Sequence, residues 1–301
     1  MSAEGGQPDQ PAPAPIAETP AKAPGETTDN AAPPAQPPAP EGPVREVVPH
    51  DPWAHRRGEP RVFAFLWTMF LFAATAATFL AALSTGTATP DVMRPATRAL
   101  LALVAAGIVV VWPMVRLSQR ADQHPIGGVV QDLVVVLIPA QAVVWPQWLA
   151  WLGRWPLEVI AAIAALLTAW GLLVGGLLAN AQINHMRHDR RNDASRPGWN
   201  GAGWMAAFIV LGCGGMLIPL LTGGNASNLT GQPQNPVRIS WMLSAITGVY
   251  EVLRDRSWTG TSAAVSREHW IAIAAIAVVG LLVWAVAGVR SRGREEYGSL
   301  H

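Results

Sequence analysis

The sequence predicts an all-α membrane protein, a polytopic bundle of six transmembrane helices with a short outer amphipathic or re-entrant helix between the fifth and the sixth. Three observations predict it. Six stretches are apolar over about the 20 residues that a hydrocarbon core of about 30 Å requires. Hydrophobic residues make up 50% of the 301-residue chain and charged residues 14%, against about 25% charged in a soluble domain. Arginines return in every second connection, as they do when those connections share the cytoplasmic side. With so little polar side chain available, lipid has to cover much of the surface.

The first 60 residues are of another kind. Pro, Ala, Gly, Gln, Glu and Thr dominate residues 1–43, with no apolar periodicity that could bury a core. The stretch 1–60 is expected to be a disordered cytoplasmic tail. It is not a secretory signal, because Lys22 is its only lysine or arginine before Arg45 and no apolar run follows.

A transmembrane domain is expected over 61–290, with spans at 62–83, 99–115, 129–152, 157–179, 204–221 and 270–289. Arg56, Arg57 and Arg61 precede the first span, and Arg116 and Arg120 follow the second. Arg187, Arg190, Arg191 and Arg196 lie between the fourth and fifth, and Arg290, Arg292 and Arg294 follow the last. The other side shows Arg94 and Arg98 in the first short loop and Arg154 in the second. The positive-inside rule therefore places both termini, including the short basic tail 291–301, in the cytoplasm. Trp145, Trp148, Trp151 and Trp155 around the third turn, Trp270 at the start of the sixth span, and Trp199 and Trp204 at the start of the fifth occupy positions expected of interfacial anchors.

Inside the spans the sequence speaks mainly of packing. Gly171 and Gly175 form a small-xxx-small pair in the fourth span, and Gly212, Gly214 and Gly215 crowd the fifth, so both helices are expected to approach each other or another subunit closely. Pro113, Pro139 and Pro146 should bend the second and third spans. Gln141, two residues after Pro139, is the candidate for an interior polar contact. No ionisable group lies in the middle of a span, since Asp132 and Glu158 both stand near span ends, which argues against a proton relay or ion path.

The connection from 222 to 269 begins with the Gly- and Asn-rich 223–228, then places Ile239, Met242, Leu243, Ile246, Val249, Tyr250 and Leu253 at helical spacing. A helix is expected over 237–253, with Glu251, Arg254, Asp255 and Arg256 turned to water. Asn225 and Asn228 match a glycosylation acceptor pattern, idle if the Ala-, Pro- and Arg-rich, lysine-poor composition reflects a bacterial source.

Several chemistries are excluded or disfavoured. The histidines lie in tails, loops or at a span edge, so none can ligate haem within the bundle. His185 and His188 share metal-ligand spacing, but Arg187, Arg190 and Arg191 crowd them, and no metal or cofactor is expected. The sole lysine, Lys22, cannot serve a P-loop, and no nucleophile elbow or zinc-protease motif is present, so no enzyme is expected. The net charge of +1 gives no reason to expect nucleic acid. Cys213 has no partner for a disulfide.

Six spans with both ends inside, Gln234-Asn235-Pro236 opening an outer helix too short to cross, and the closing Arg290-Ser291-Arg292-Gly293-Arg294 resemble ABC-2 type permease subunits of ATP-driven exporters. The chain departs from that layout where Pro- and Arg-rich sequence replaces the cytoplasmic helix expected before the first span. The resemblance implies an inner-membrane permease subunit moved by a separate cytoplasmic ATPase, with a second membrane subunit or homodimer as partner. Arg187, Arg190, Arg191 and Arg196 would then touch the partner or lipid. A non-catalytic membrane anchor or assembly protein is the alternative reading.

Overall fold

The computed structural model of the chain describes residues 60–84, 86, 89–118, 125–190, 201–221, 237–256 and 263–298. The expected tail over 1–59, Arg191, Arg196, Trp199, Asn225, Asn228 and the chain end 299–301 lie outside the described residues.

The described chain is helical. Its elements are α1 (Pro60–Leu83), α2 (Pro90–Ala106), a π turn (Gly107–Val111), α3 (Trp112–Ser118), α4 (Pro125–Val144) with a closing 3-10 turn (Trp145–Trp148), α5 (Leu157–Arg190), α6 (Gly201–Leu221), α7 (Ile239–Met242), α8 (Ala245–Val252) and α9 (Arg267–Gly298). Among the described residues five helices are long and apolar enough to cross a bilayer, over Arg61–Leu83, Val92–Ser118, Pro125–Trp148, Leu157–Met186 and Arg267–Ser291. The apolar part of α6, Ala202–Gly215, is shorter, so the described helices give five such spans where six were expected.

The second span starts earlier than its hydropathy suggests. Pro90 suits the first helical position, so Arg94 and Arg98, expected in a loop, ride on α2. Pro113 then disturbs the far end of the same span. Proline cannot donate to the carbonyl one turn back, and just before it the ladder widens into a π turn in which the Trp112 N–H donates to Gly107 O. Gly107 itself admits α1, because a Cβ there would stand 2.5 Å from Phe70 and 2.9 Å from Trp67.

Helix α5 is the centre. Ile160, Ile163, Leu166, Leu167, Trp170, Val174 and Leu178 are buried along it, among α4, the π turn, α8 and α9. Its closest partner is α9, which runs parallel to it. A Cβ on Gly280 would lie 2.9 Å from the Leu173 backbone nitrogen, and one on Gly176 3.3 Å from that of Trp284. Hydrogen bonds fasten the same seam: the Trp284 indole donates to Leu172 O at 2.8 Å, and the Asn180 amide to Val283 O at 3.0 Å. Within lipid no hydrophobic force draws helices together, so close backbone approach and such bonds must hold them.

The connection before α9 differs from expectation. Instead of one helix over 237–253 it forms two, broken at Leu243 and Ser244, where Ser244 turns extended. The break lets the Ser244 hydroxyl donate to Gly212 O of α6. Together with 253–256 and 263–266, α7 and α8 make a crown over one end of the bundle, against α2, α5, α6 and α9.

Gly280→Leu should destabilise the protein by about 2 kcal/mol or more, since the backbone of α5 cannot give way. Gly214→Ala, with nothing within 4 Å, should be neutral or stabilising by up to about 1 kcal/mol. Thermal unfolding in detergent checks both, and equal effects would mean that α5 and α9 do not pack through this face.

Candidate functional site

The crown holds a charged cluster that sequence periodicity places in water. Glu251, Arg256 and His269 are buried at 0%, 2% and 0% exposure, so the expectation that Glu251 and Arg256 face solvent is wrong. The reason is mutual neutralisation. Glu251 Oε1 lies 3.0 Å from Arg254 Nη2 and 3.2 Å from Arg256 Nη2, and accepts from the Arg238 backbone N–H at 3.2 Å. Arg254 and Asp255 stay partly accessible, with side-chain exposures of 18% and 38%. Burial pushes the Glu251 carboxyl above its ordinary value, against the pull of Arg254, the Arg238 N–H and Arg256.

Arg256 is the hub. Its Nε donates to Ala264 O at 3.2 Å, and its Nη2 stands 2.9 Å from His269 Nε2, so one side chain joins α8, the segment 263–266 and the first turn of α9. The Asp255–Ala263 bridge closes the same loop. Arg98 of α2 reaches up to Asp255 at 2.5 Å and to Leu253 O at 3.2 Å. Trp155, expected in the interfacial belt, is instead buried at 2% beneath the guanidinium groups of Arg94 and Arg98, 5.2 and 5.1 Å from its ring centre. Trp145, Trp148 and Trp151 are exposed.

The opposite end carries a second polar layer. Arg116 of α3 and Asp132 of α4 form a buried ion pair at 3.3 Å, and Arg290 of α9 donates to Asn180 Oδ1 of α5 at 3.1 Å. Beyond this layer α5 and α9 each continue as helix, to Arg190 and Gly298. Leu133 and Leu137 of α4 face Gly171, and Gln141 reaches Ala164, an antiparallel register that sets the start of α4 near Asn180. The last seven or so residues of α5 therefore run about 10 Å past it. The pairing of Gly280 with Leu173 brings Gly298 level with Arg190. What sequence reading takes as a loop from Asn180 is helix as far as Arg190, and the backbone of Arg187 and Arg190 lies on this extension.

Four of the five glycines named from sequence meet neighbours within the chain, Gly214 being the exception. A Cβ on Gly171 would stand 3.0 Å from Leu137 of α4, and one on Gly175 3.0 Å from Trp284 of α9 and 3.1 Å from Trp112. Gly212 faces Val109 at 3.3 Å, and Gly215 faces Thr247, Ser244 and the Ser240 carbonyl. At none of these four positions does the nearest contact join α5 to α6. Gly176 and Gly280, which make the tightest helix pair, escape sequence notice because they stand on different helices and form no local motif.

Gln141 lies beside a slot of about 440 Å³ between α4 and α9, with α5 as its floor. Its amide nitrogen donates to Ala164 O and Thr168 Oγ1, both at 3.1 Å. Among the described residues no three His, Cys, Asp or Glu side chains gather closely enough to hold a metal. No protein-family model matches the chain, and neither does any curated protein or solved structure.

Breaking the crown cluster should be costly. Glu251→Ala and Arg256→Ala should each destabilise by about 3–5 kcal/mol, because each strands a buried partner. Glu251→Gln, which keeps an acceptor without the charge that burial disfavours, should cost about 1–2 kcal/mol. Thermal unfolding in detergent ranks the three, and a Gln variant as damaged as the Ala variant would contradict the account of the cluster.

Proposed function

We propose that the chain is a six-span inner-membrane protein with both termini in the cytoplasm, acting as the permease subunit of a transporter whose ATPase is a separate chain. The sixth span of this reading is α6. Helix α5 ends away from the crown, the crown stands at the other end, and α6 is the one described helix that joins them, packing against α3, the π turn and the crown helices. Under the positive-inside rule the end bearing Arg116, Arg187, Arg190 and Arg290 is cytoplasmic and the crown is external.

The observation that carries the functional reading is the joint extension of α5 and α9. A pair of helices fastened between Leu172 and Asn180, each continuing beyond that seam, transmits a push applied to its tip, which is what a motor on a separate chain needs. In this reading the ATPase grips the extension and the adjoining 191–203, including Arg190 and Arg191. The interior of one copy is filled by Trp67, Trp112 and Trp170, so the path for substrate lies between two copies. That same filled interior favours the second reading, an anchor or assembly protein that moves nothing and holds its partner on the same extension.

Charge reversal of Arg190 and Arg191 together should lower the yield of a co-purified cytoplasmic ATPase several-fold, while reporter fusions at Ala88 and Leu300 still report opposite sides. Mild extraction from native membranes followed by mass spectrometry measures the first. Co-purification of a non-ATPase complex on the same extension would replace the permease reading with the anchor, and an external reporter signal at Leu300 would overturn both.

A further inference from the structure

We infer that the slot between α4 and α9 is a binding site for one membrane amphiphile, a single long alkyl or acyl chain whose head carries a hydrogen-bond donor that reaches Gln141. The inference does not rest on the permease reading. Helix α5 is covered on most of its circumference, and the face it leaves half-buried towards the slot is the stripe Ala161, Ala165, Thr168 and Leu172. Gln141 and Trp145 form one wall, and Ile273 and Ala277 of α9 the other.

Three features select the occupant. The slot opens onto the faces of α4 and α9 that expose Val134, Ile138 and Val278, so it is continuous with the lipid-contacting surface of these spans. Its shape suits a slender chain. From Ala161 to Leu172 the floor is about 17 Å long and is formed largely by the small side chains of Ala161, Ala164, Ala165, Thr168 and Ala169, a narrow track that matches one extended alkyl chain.

The third feature is polar. Both hydrogen bonds of the Gln141 amide are donated by its nitrogen, to Ala164 O and Thr168 Oγ1, and the Thr168 hydroxyl itself donates to Ala164 O at 2.7 Å. Gln141 Oε1 is left without a partner among the described residues. An acceptor in hydrocarbon has no water to satisfy it and is costly to leave bare. A hydroxyl, amide N–H or protonated carboxyl at the head of the chain satisfies it. Gln141 stands one helical turn from Trp145, which lines the same slot.

Photolabelling of the protein in lipid nanodiscs tests this, with two probes of equal chain length bearing a diazirine near the tail, a long-chain alcohol and its methyl ether. The alcohol should label α4, α5 and α9 around the slot saturably, and about three- to tenfold more strongly than the ether, the discrimination expected of one hydrogen bond. Gln141→Leu should erase that preference. Ala165→Trp, or Ala161→Phe if the first fails to fold, should abolish slot labelling, whereas Val279→Trp on the exposed face of α9 should leave it unchanged. Labelling that never saturates, or that survives both slot-filling variants, overturns the site. Saturable labelling indifferent to alcohol or ether overturns the role of Gln141 and with it the ligand class. A change of oligomer size in Ala165→Trp means that a second copy occupies the slot, and overturns the proposal as well.

Discussion

The seam between α5 and α9 sets the rest of the architecture. It is made where Gly176 and Gly280 remove the side chains that would hold the backbones apart, and where Trp284 and Asn180 bond across to the opposite carbonyls. Such a seam is the kind that works in lipid, where apolar area alone gives no preference for a neighbouring helix over an acyl chain. Because it fixes α9 at the level of α5, it also fixes the height of the crown, which hangs from the first turn of α9 through Arg256 and His269. The slot beside α5 and the joint extension at the far end follow from the same registration.

Both ends of the bundle turn arginine inward. Arg98, Arg254 and Arg256 at the crown and Arg116 at the opposite end each face a carboxylate. Their charge is therefore directed at the protein. Counting arginines in short loops passes over Arg238, Arg254, Arg256 and Arg267 in the long connection, which taken alone weaken the asymmetry.

What the sequence made legible is what depends on local pattern. Long apolar runs locate α1 to within two residues and the starts of α4, α5 and α9 to within about four, because in lipid the backbone must satisfy itself and a helix does so. Boundaries drifted where polar residues remain helical: Arg94 and Arg98 on α2, and the stretch from Asn180 to Arg190 on α5, are helix despite their polarity. The crown was misread for a different reason. Helical spacing over 237–253 suggested one amphipathic helix with charges outward, but Glu251 and Arg256 are separated by a turn and an extended stretch that aim them at each other. No sequence rule foresees a buried pair whose members meet across such a bend. Gln141 was legible as a polar group inside a span, whereas the slot beside it depends on α4 and α9 standing apart over α5, a matter of tertiary placement.

The registration of α5 with α9 is most directly tested by measuring immersion depth at matched positions. Nitroxides placed singly at Leu172, Val279, Arg187 and Arg294, in a Cys213→Ser background, report depth through their relative exposure to oxygen and to a water-soluble relaxation agent. The account predicts that Leu172 and Val279 lie at one depth within the hydrocarbon, and that Arg187 and Arg294 both emerge into water on the same side. A pair at unequal depths, or emergence of Arg187 and Arg294 on opposite sides, would contradict it.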